Sequence, residues 1–381
     1  MKLSNSLKER LAYLLKQLIK IRTENPPGKT KEIVNFLVNE VFLENEGFQN
    51  EIVPYFKNNI ELHNLITKIG SGKKKIFLSG HFDVVPSGDR NKWIYPPFSA
   101  KTVNGKVYGW GSADMKGGIT SLIGVMKVLN TNPEFLDNYE LVFLGTADEE
   151  TGMSGSLTLT ERGYIQDAEV LIIAEPTNLN IGIAEKGLLW VILKVYGKSA
   201  HGSMPSEGIN AIEGILKVIP QLYKCLDVDK ENSILGKSTI NIGKISGGTK
   251  INIVPDYSEL EVDFRVIPEQ KQETILNKLK SINLGSCSIE LEILKSHPPL
   301  QTDFNHPFIR NLEIISNSKY IGLSYATDIV NFVDPNNPIP FIIFGPGNPN
   351  VTHKLNESVS LEDIFRATEI LINALLETYT N

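Results

Sequence analysis

The chain has 381 residues, 41% of them hydrophobic and 22% charged, which is typical of a globular protein with two domains or one large domain. Its 38 Lys and Arg residues against 44 Asp and Glu residues give a net charge of -6, which argues against a nucleic-acid partner. The apolar runs fall far short of the ~18 residues that cross a bilayer, and the charged N-terminal segment has no apolar signal region, so we expect a cytoplasmic protein with no membrane partner.

The apolar pattern of residues 1–184 predicts short buried strands separated by helices. In chain order, the predicted elements are helix 5–22, helix 30–45, strand 60–69, strand 74–79, helix 119–129, strand 140–144, helix 154–161 and strand 169–174. The glycines at positions 70 and 72 predict that the first two strands form a hairpin. This order of elements predicts an α/β domain with a mixed, largely parallel sheet flanked by helices.

From about residue 185 the pattern changes. The predicted elements there are strand 188–197, helix 208–225, strand 238–246, strand 257–267, helix 268–282 and strand 287–295. This βαββαβ order is that of the ferredoxin-like unit, which can fold by itself. Helix 306–319, strand 340–344 and helix 360–378 then resume the α/β pattern. We therefore predict a catalytic domain in two parts, 1–184 and 296–381, separated by an inserted ferredoxin-like domain, 185–295.

Histidines and carboxylates follow the predicted strands or open the helices beside them. In open α/β sheets, functional side chains gather beyond the carboxyl ends of the strands. The candidates at these places are His81, Asp83, Asp114, Glu149, Glu150, Glu175 and His353. A single His-x-Asp pair or a helix-capping Asp is common without a metal. The joint placement of these residues at five junctions predicts a shared metal site.

Imidazole and carboxylate ligands suit Zn²⁺, with Co²⁺ and Mn²⁺ as alternatives, and two cysteines are too few for a thiolate cage. In one arrangement Asp114 bridges two ions. One ion is then held by His81 and Glu175, and the other by Glu150 and His353. The excess positive charge of two such ions would lower the pKa of a bridging water, so that a hydroxide becomes the nucleophile.

Two carboxylates remain beside this ligand set. Asp83 fits a supporting role in catalysis, because a carboxylate that accepts a proton from the outer nitrogen of His81 fixes the orientation of that ring. Glu149 has no metal to hold, so it can act as general base toward the water and then as general acid toward a leaving amine. The set indicates metal-assisted hydrolysis of an amide.

Six motifs, spread in order over nearly the whole chain, resemble those of the co-catalytic metallohydrolases that include acetylornithine deacetylase, succinyl-diaminopimelate desuccinylase and glutamate carboxypeptidase. The motifs are Gly80-His-Phe-Asp-Val-Val-Pro86, Tyr108-Gly-Trp-Gly-Ser-Ala-Asp-Met-Lys-Gly-Gly118, Thr146-Ala-Asp-Glu-Glu150, Ala174-Glu-Pro-Thr177, Ser199-Ala-His-Gly-Ser-Met-Pro205 and Gly345-Pro-Gly…His353-Lys-Leu-Asn-Glu357. The resemblance implies the same ligand set, with a bridging Asp114 and Glu149 as acid and base. It also implies that the inserted domain is a lid and the contact of a homodimer.

The resemblance implies roles for four further residues that by themselves would be ordinary loop or strand residues. His201 is expected to reach the active site of the partner subunit and stabilise the developing oxyanion. Asn252 is expected to contact substrate, and Arg265 to pair with a substrate carboxylate. Thr327, in the segment Tyr325-Ala-Thr-Asp-Ile-Val-Asn331, resembles a substrate-binding position of the deacetylase-type members. That segment lacks the arginine that desuccinylases carry there.

The main hypothesis is a homodimeric hydrolase with two metal ions that cleaves the amide bond of N-acyl amino acids. The alternative within the same family is a metallo-exopeptidase, a carboxypeptidase or dipeptidase, acting on short peptides. A metal-free binding protein of the same fold and a nucleotide-binding enzyme are further alternatives. The segment Gly70-Ser-Gly-Lys-Lys74 lacks the spacing of a phosphate-binding loop, which argues against the last of these.

Overall fold

The computed structural model describes residues 1–227 and 229–380. The chain forms two compact units. The first consists of Met1–Ile183, Thr302–Ile321 and Thr327–Asn381, and the second of Ala184–Gln301 and Gly322–Ala326. The segment predicted as an insertion, 185–295, lies within the second unit.

The first stretch of the chain alternates between helices and strands. Its elements are α1 (Asn5–Lys20), α2 (Lys31–Phe36), β1 (Gln49–Lys57), β2 (Ile60–Ile69), β3 (Lys74–His81), β4 (Lys101–Val103), β5 (Lys106–Tyr108), α3 (Gly117–Leu129), α4 (Pro133–Asn138), β6 (Tyr139–Thr146), α5 (Ser154–Glu161), β7 (Ala168–Ile173) and β8 (Ile181–Glu185). The predicted helix 30–45 is shorter than expected, because α2 gives way to a π-helical turn at Leu37–Val41.

The remaining elements complete both units. Those between residues 187 and 301 are β9 (Gly187–Tyr196), α6 (Ala211–Cys225), β10 (Thr239–Gly247), β11 (Tyr257–Val266), α7 (Gln272–Lys280), β12 (Ser288–His297) and β13 (Leu300–Gln301). They are followed by α8 (Pro307–Ser316), β14 (Tyr320–Leu323), α9 (Ile329–Phe332), β15 (Phe341–Ile343), β16 (Ser358–Ser360) and α10 (Leu361–Tyr379).

The main sheet of the first unit has the strand order β1-β2-β6-β3-β7-β15-β8. The four central strands, β6, β3, β7 and β15, are parallel, whereas β1, β2 and β8 pair antiparallel toward the edges. Continuous buried runs in β3 and β6 suit the centre of a sheet that helices cover on both faces. The predicted mixed α/β sheet is therefore confirmed, with its parallel part at the centre.

The predicted hairpin between strands 60–69 and 74–79 is wrong. β2 pairs instead with β1, a strand that the apolar pattern did not reveal, and on its other side with β6. Asn58 and Asn59 form the β1–β2 turn with φ of 50° and 63°, a conformation that Asn tolerates better than most residues. Because β2 is buried on both faces at its centre, it lies inside the sheet and needs a partner on each side.

One glycine of the sequence motifs allows a helix to approach this sheet closely. A Cβ atom on Gly118, in the first turn of α3, would lie 1.9 Å from the carbonyl oxygen of Ala174, just beyond β7. A larger residue would push the helix away from the carboxyl edge of the sheet. Gly118 thus helps to place the start of α3 beside the strand ends.

The second unit contains an antiparallel sheet with the order β10-β11-β9-β12. Buried residues of β9 and β11 alternate with more exposed ones, and the buried set joins residues of α6 and α7 in one core. The connectivity and strand order are ferredoxin-like, as predicted. None of the helices in the described ranges is long and apolar enough to cross a membrane.

Candidate functional site

The central parallel strands of the first unit bring the predicted ligands to one edge of the sheet. His81 is the last residue of β3, Glu149 and Glu150 follow β6, and Glu175 lies two residues beyond β7. His353 lies in the loop after β15. The carboxyl ends of neighbouring parallel strands share an edge, so residues far apart in the sequence meet there.

The side chains at this edge form a compact cluster. Donor atoms of His81, Asp114 and Glu150 all lie within 4.8 Å of one another. Nε2 of His81 is 3.2 Å from Oδ1 of Asp114 and 3.8 Å from Oε1 of Glu175. Nε2 of His353 is 3.4 Å from Oδ2 of Asp114 and 3.1 Å from Oε1 of Glu150. Asp114 therefore lies between the two histidines and directs one carboxylate oxygen toward each.

The cluster concentrates negative charge in a buried place. Burial raises the pKa of Glu149 and of Glu175 well above the usual range, and neighbouring carboxylates add to the effect. Burial lowers the pKa of His81, but Asp114 and Glu175 outweigh it and raise that pKa well above its usual value. Hydrogen bonds to Asp114 and Glu150 raise the pKa of His353 to about 10. The carboxylates therefore stabilise positive charge on both histidines.

Asp83 contacts His81 through its backbone. Nδ1 of His81 is 2.9 Å from the carbonyl oxygen of Asp83, whereas the carboxylate oxygen Oδ1 is 3.7 Å away. The buried carboxylate instead accepts hydrogen bonds from the backbone N–H groups of Glu149 and Glu150, at 3.1 and 3.2 Å. Asp83 therefore contacts both the histidine and the turn that carries the two glutamates.

Sequence reasoning assigned no role to Glu357, although it ends one of the quoted motifs. Its buried carboxylate accepts hydrogen bonds from the backbone N–H groups of Gly111, Ala113 and Asp114, at 3.3, 2.7 and 3.1 Å. These contacts hold the loop that presents Asp114. Because Glu357 lies four residues after His353, one segment supplies a histidine of the cluster and supports the carboxylate opposite it.

Thr327 is fully buried, and its Oγ1 accepts a hydrogen bond from the backbone N–H of Ile329. The next residue, Asp328, was not predicted as a site residue. Its buried carboxylate accepts hydrogen bonds from the hydroxyls of Thr146, at 2.5 Å, and Ser156, at 2.6 Å. Asp328 therefore ties the end of β6 to α5, on either side of the turn with the two glutamates.

The other predicted substrate residues lie in the second unit. His201 and Asn252 are exposed on adjacent loops that a β-bridge between His201 and Ile253 joins. Arg265 lies in β11, and its Nε donates to the carboxylate of Asp263 at 3.0 Å. His201 and Asn252 thus occupy one surface of this unit. Arg265 pairs with a carboxylate of the protein, and a carboxylate is also the substrate group that the resemblance implies for it.

The stability of the metal-free protein should fall as the pH rises from about 5 to about 8. Burial raises the pKa of Glu357 from its usual 4.5 to about 8 and that of Asp328 from 3.8 to about 6. The folded state then binds these protons more tightly than the unfolded chain, so ionisation lowers the free energy of unfolding. Thermal unfolding in a chelating buffer at pH 5.5, 6.5 and 8 measures this.

Glu357→Gln provides the matched variant for that experiment, since it removes the titrating group and keeps the shape of the side chain. The variant should show a shallower fall in Tm between pH 6 and pH 8 than the unaltered chain. A metal-free protein whose Tm rises over this range contradicts the expectation. With a divalent metal in excess the trend should weaken or reverse, because ligands bind metal in their deprotonated form.

The donor set of the cluster fits a divalent metal. Two imidazoles and three carboxylates converge there. Two of the carboxylates, those of Glu150 and Glu175, resist ionisation because they are buried near other acidic groups. A divalent cation is the counter-charge that reverses this effect. Nitrogen and oxygen donors in this combination are those of zinc and of neighbouring transition ions.

Comparison with known proteins places this chain among metallohydrolases. The sequence model of peptidase family M20/M25/M40 matches residues 77–377. A probable succinyl-diaminopimelate desuccinylase from Staphylococcus aureus is 31% identical, over 96% of this chain and 98% of that protein. An acetylornithine deacetylase from Pasteurella multocida is 30% identical, over 90% of this chain and 89% of that protein.

A solved structure from the same family has the same fold as this chain. The crystal structure of an M20 family metallo-carboxypeptidase from Sulfolobus solfataricus superposes with a TM-score of 0.73 at 20% identity, covering 97% of this chain and 99% of that one. The family resemblance seen in the motifs is thus confirmed over most of the sequence. The chain belongs to peptidase family M20/M25/M40 and is a hydrolase of amide bonds.

Proposed function

We propose that this protein is a two-metal amidohydrolase that removes the acyl group from N-acyl amino acids. The observation that carries the proposal is the position of Asp114 between His81 and His353, with a separate carboxylate oxygen directed at each. A carboxylate in this position can serve two ions at once. The relatives named as a desuccinylase and a deacetylase support the choice of an N-acyl amino acid as substrate.

The residues that would hold the ions are those of the predicted ligand set. His81 and Glu175 would hold one ion, Glu150 and His353 the other, and Asp114 both. Bound there, divalent ions would polarise the scissile carbonyl and lower the pKa of a water molecule. We propose zinc as the metal, with cobalt or manganese able to replace it, since all three accept nitrogen and oxygen ligands.

Glu149 is proposed to transfer the proton. It follows Asp148 in the turn after β6, and Asp83 holds its backbone N–H at 3.1 Å. Burial among acidic neighbours raises its pKa well above that of an ordinary glutamate, which suits a group that both accepts and donates a proton. Glu149 would take a proton from the attacking water and pass it to the leaving amine nitrogen.

The inserted segment 185–295 is proposed to act as a lid and as the contact of a homodimer. In that arrangement the partner subunit's His201 would stabilise the oxyanion, and Asn252 would contact the substrate. Arg265 would pair with the substrate carboxylate after leaving Asp263, and Thr327 would act at the buried end of the substrate site. The exposed positions of His201 and Asn252 on adjacent loops support this assignment.

Removal and return of metal should abolish and restore activity. The protein is treated with a chelator, dialysed, and assayed after addition of Zn²⁺, Co²⁺ or Mn²⁺ on N-acetylornithine, N-succinyl-diaminopimelate and simple dipeptides. We expect hydrolysis of an N-acyl amino acid only with metal present, and about two ions per chain by elemental analysis. Hydrolysis that is indifferent to chelation contradicts the proposal.

The same panel separates the two activities of this family that the site can support. Turnover of dipeptides with no turnover of the N-acyl amino acids would make the protein an exopeptidase. That outcome would keep the metal site and the role of Glu149 but replace the substrate. Binding of an N-acyl amino acid without turnover in the metal-loaded protein would favour a binding protein and contradict both.

A further inference from the structure

A second group of buried polar side chains adjoins the turn that carries Glu149 and Glu150. Its centre is Asn25, whose side chain is only 4% exposed, in the segment between α1 and α2. The backbone N–H of Asn25 donates to the carbonyl oxygen of Val84, at 2.7 Å. The segment is thereby attached to the chain just beyond β3, next to Asp83.

The amide of Asn25 joins two carboxylates. Its Nδ2 lies 2.8 Å from Oδ2 of Asp83, 3.0 Å from Oδ1 of Asp148 and 3.1 Å from Oγ1 of Thr151. Such an amide carries two N–H donors and no charge, so it can donate hydrogen bonds to two carboxylates at once without adding to their mutual repulsion. Asp83 and Asp148 are both almost fully buried, and a buried carboxylate without hydrogen-bond donors would destabilise the fold.

These two carboxylates accept hydrogen bonds from different residues of the turn that carries Glu149 and Glu150. Asp83 accepts the backbone N–H groups of both glutamates, at 3.1 and 3.2 Å. Asp148 begins the turn with φ of 71°, and its own carboxylate accepts from the hydroxyl of Thr151 at 2.5 Å. Both carboxylates thus stabilise the turn, and Asn25 is the residue that donates hydrogen bonds to both of them.

The outer end of this group is balanced by a cation. Nζ of Lys57, at the end of β1, lies 2.7 and 2.5 Å from the two carboxylate oxygens of Asp148. A cavity of about 290 Å³ adjoins these residues and is lined by Pro26, Pro27 and Ile60 among others. The cavity leaves space beside Asn25, so a side chain of similar size and different polarity can be introduced there without crowding.

We propose that Asn25 is a positioning residue for the amide hydrolysis, which fixes Glu149 and Glu150 by linking Asp83 to Asp148. The inference rests on the proposed function, since it concerns the proton-transfer glutamate and its neighbour in the ligand set. Removing the link leaves both glutamates in the chain but lets the turn move. A displacement of about 1 Å at a reacting group can cost about 10²-fold in rate.

The test uses Asn25→Leu, which keeps the size of the side chain and removes its donors, and Asn25→Asp, which places a third carboxylate between two others. In the metal-loaded enzyme we expect kcat to fall by about 10-fold to 100-fold for Asn25→Leu, with KM changed by less than about 3-fold. Asn25→Asp should lose at least as much. The control is Asn35→Ala, at an exposed position of α2, which should keep the original kcat.

A second readout does not depend on activity. In the metal-free protein, hydrogen exchange of the peptide that contains residues 147–152 should speed up in Asn25→Leu, because the amides of Glu149 and Glu150 lose a firmly held acceptor. Exchange in the strands of the main sheet should stay as it was. A role confined to general stability predicts faster exchange everywhere and a lower Tm, with kcat per folded molecule unchanged.

The outcomes are distinct. Faster exchange confined to the turn, together with a selective loss of kcat, supports the positioning role. Unchanged exchange in the turn, or an unchanged kcat, overturns it. If the unaltered protein hydrolyses none of the substrates, the proposed function fails, and the exchange experiment still decides whether Asn25 fixes the turn.

Discussion

Replacing Glu149 by Ala should lower kcat by roughly 10²-fold to 10⁴-fold while the protein keeps its metal, which is the range for a positioned general acid and base. The two histidines of the cluster pair with Asp114, Glu150 and Glu175, and Glu149 is the glutamate of the turn that we propose for proton transfer. Its loss removes the route by which a proton leaves the attacking water. KM should change little, because substrate binding does not require that transfer.

The experiment compares Glu149→Ala with Glu149→Gln, which keeps the shape but cannot accept a proton. Both variants should be equally slow, and elemental analysis should show the same metal content in each. Glu161→Ala, at the exposed end of α5, is the control and should keep full activity. Full turnover by Glu149→Ala would contradict the assignment, and a joint loss of metal and activity would make Glu149 a ligand instead.

The sequence predicted the main sheet and the residues at its edge because both follow from simple regularities. Buried parallel strands appear as short apolar runs, such as those of β3 and β7. The polar residues directly after these strands lie at the same edge of the sheet. His81 and Glu175 could be selected in this way. The ferredoxin-like order of the inserted segment followed from the spacing of its strands and helices.

Features that depend on pairing across the sequence could not be predicted in the same way. β1 is an edge strand with mostly exposed residues, and Pro54 interrupts its apolar residues, so its pairing with β2 left only a weak local signal. Asn25 and Glu357 act through hydrogen bonds to residues more than 50 positions away. A residue that supports a site through its amide or carboxylate has no spacing pattern of its own, and only the folded chain shows what it contacts.

Replacing Asp114 by Asn should reduce bound metal at both positions of the site and lower kcat by about 10³-fold or more. Each carboxylate oxygen of Asp114 faces a different histidine, at 3.2 Å for His81 and 3.4 Å for His353. An amide keeps the shape but presents N–H₂ to one of these places and an uncharged oxygen to the other. Metal ions contribute several kcal/mol to such reactions, and each ~1.4 kcal/mol lost costs a factor of ten.

The bridging role is tested by comparing Asp114→Asn with His81→Ala and His353→Ala in a titration with Co²⁺. If Asp114 serves both ions, each histidine variant should lose one position and keep much of the other, whereas Asp114→Asn should weaken both. Asp137→Asn, at an exposed site in α4, is the control and should bind metal as the unaltered chain does. Glu357 holds the backbone of Asp114 through its N–H in every variant, so the loop itself should stay in place. If Asp114→Asn loses only the ion that one histidine variant loses, Asp114 is a ligand of a single ion, and the two-metal mechanism would need a different bridge.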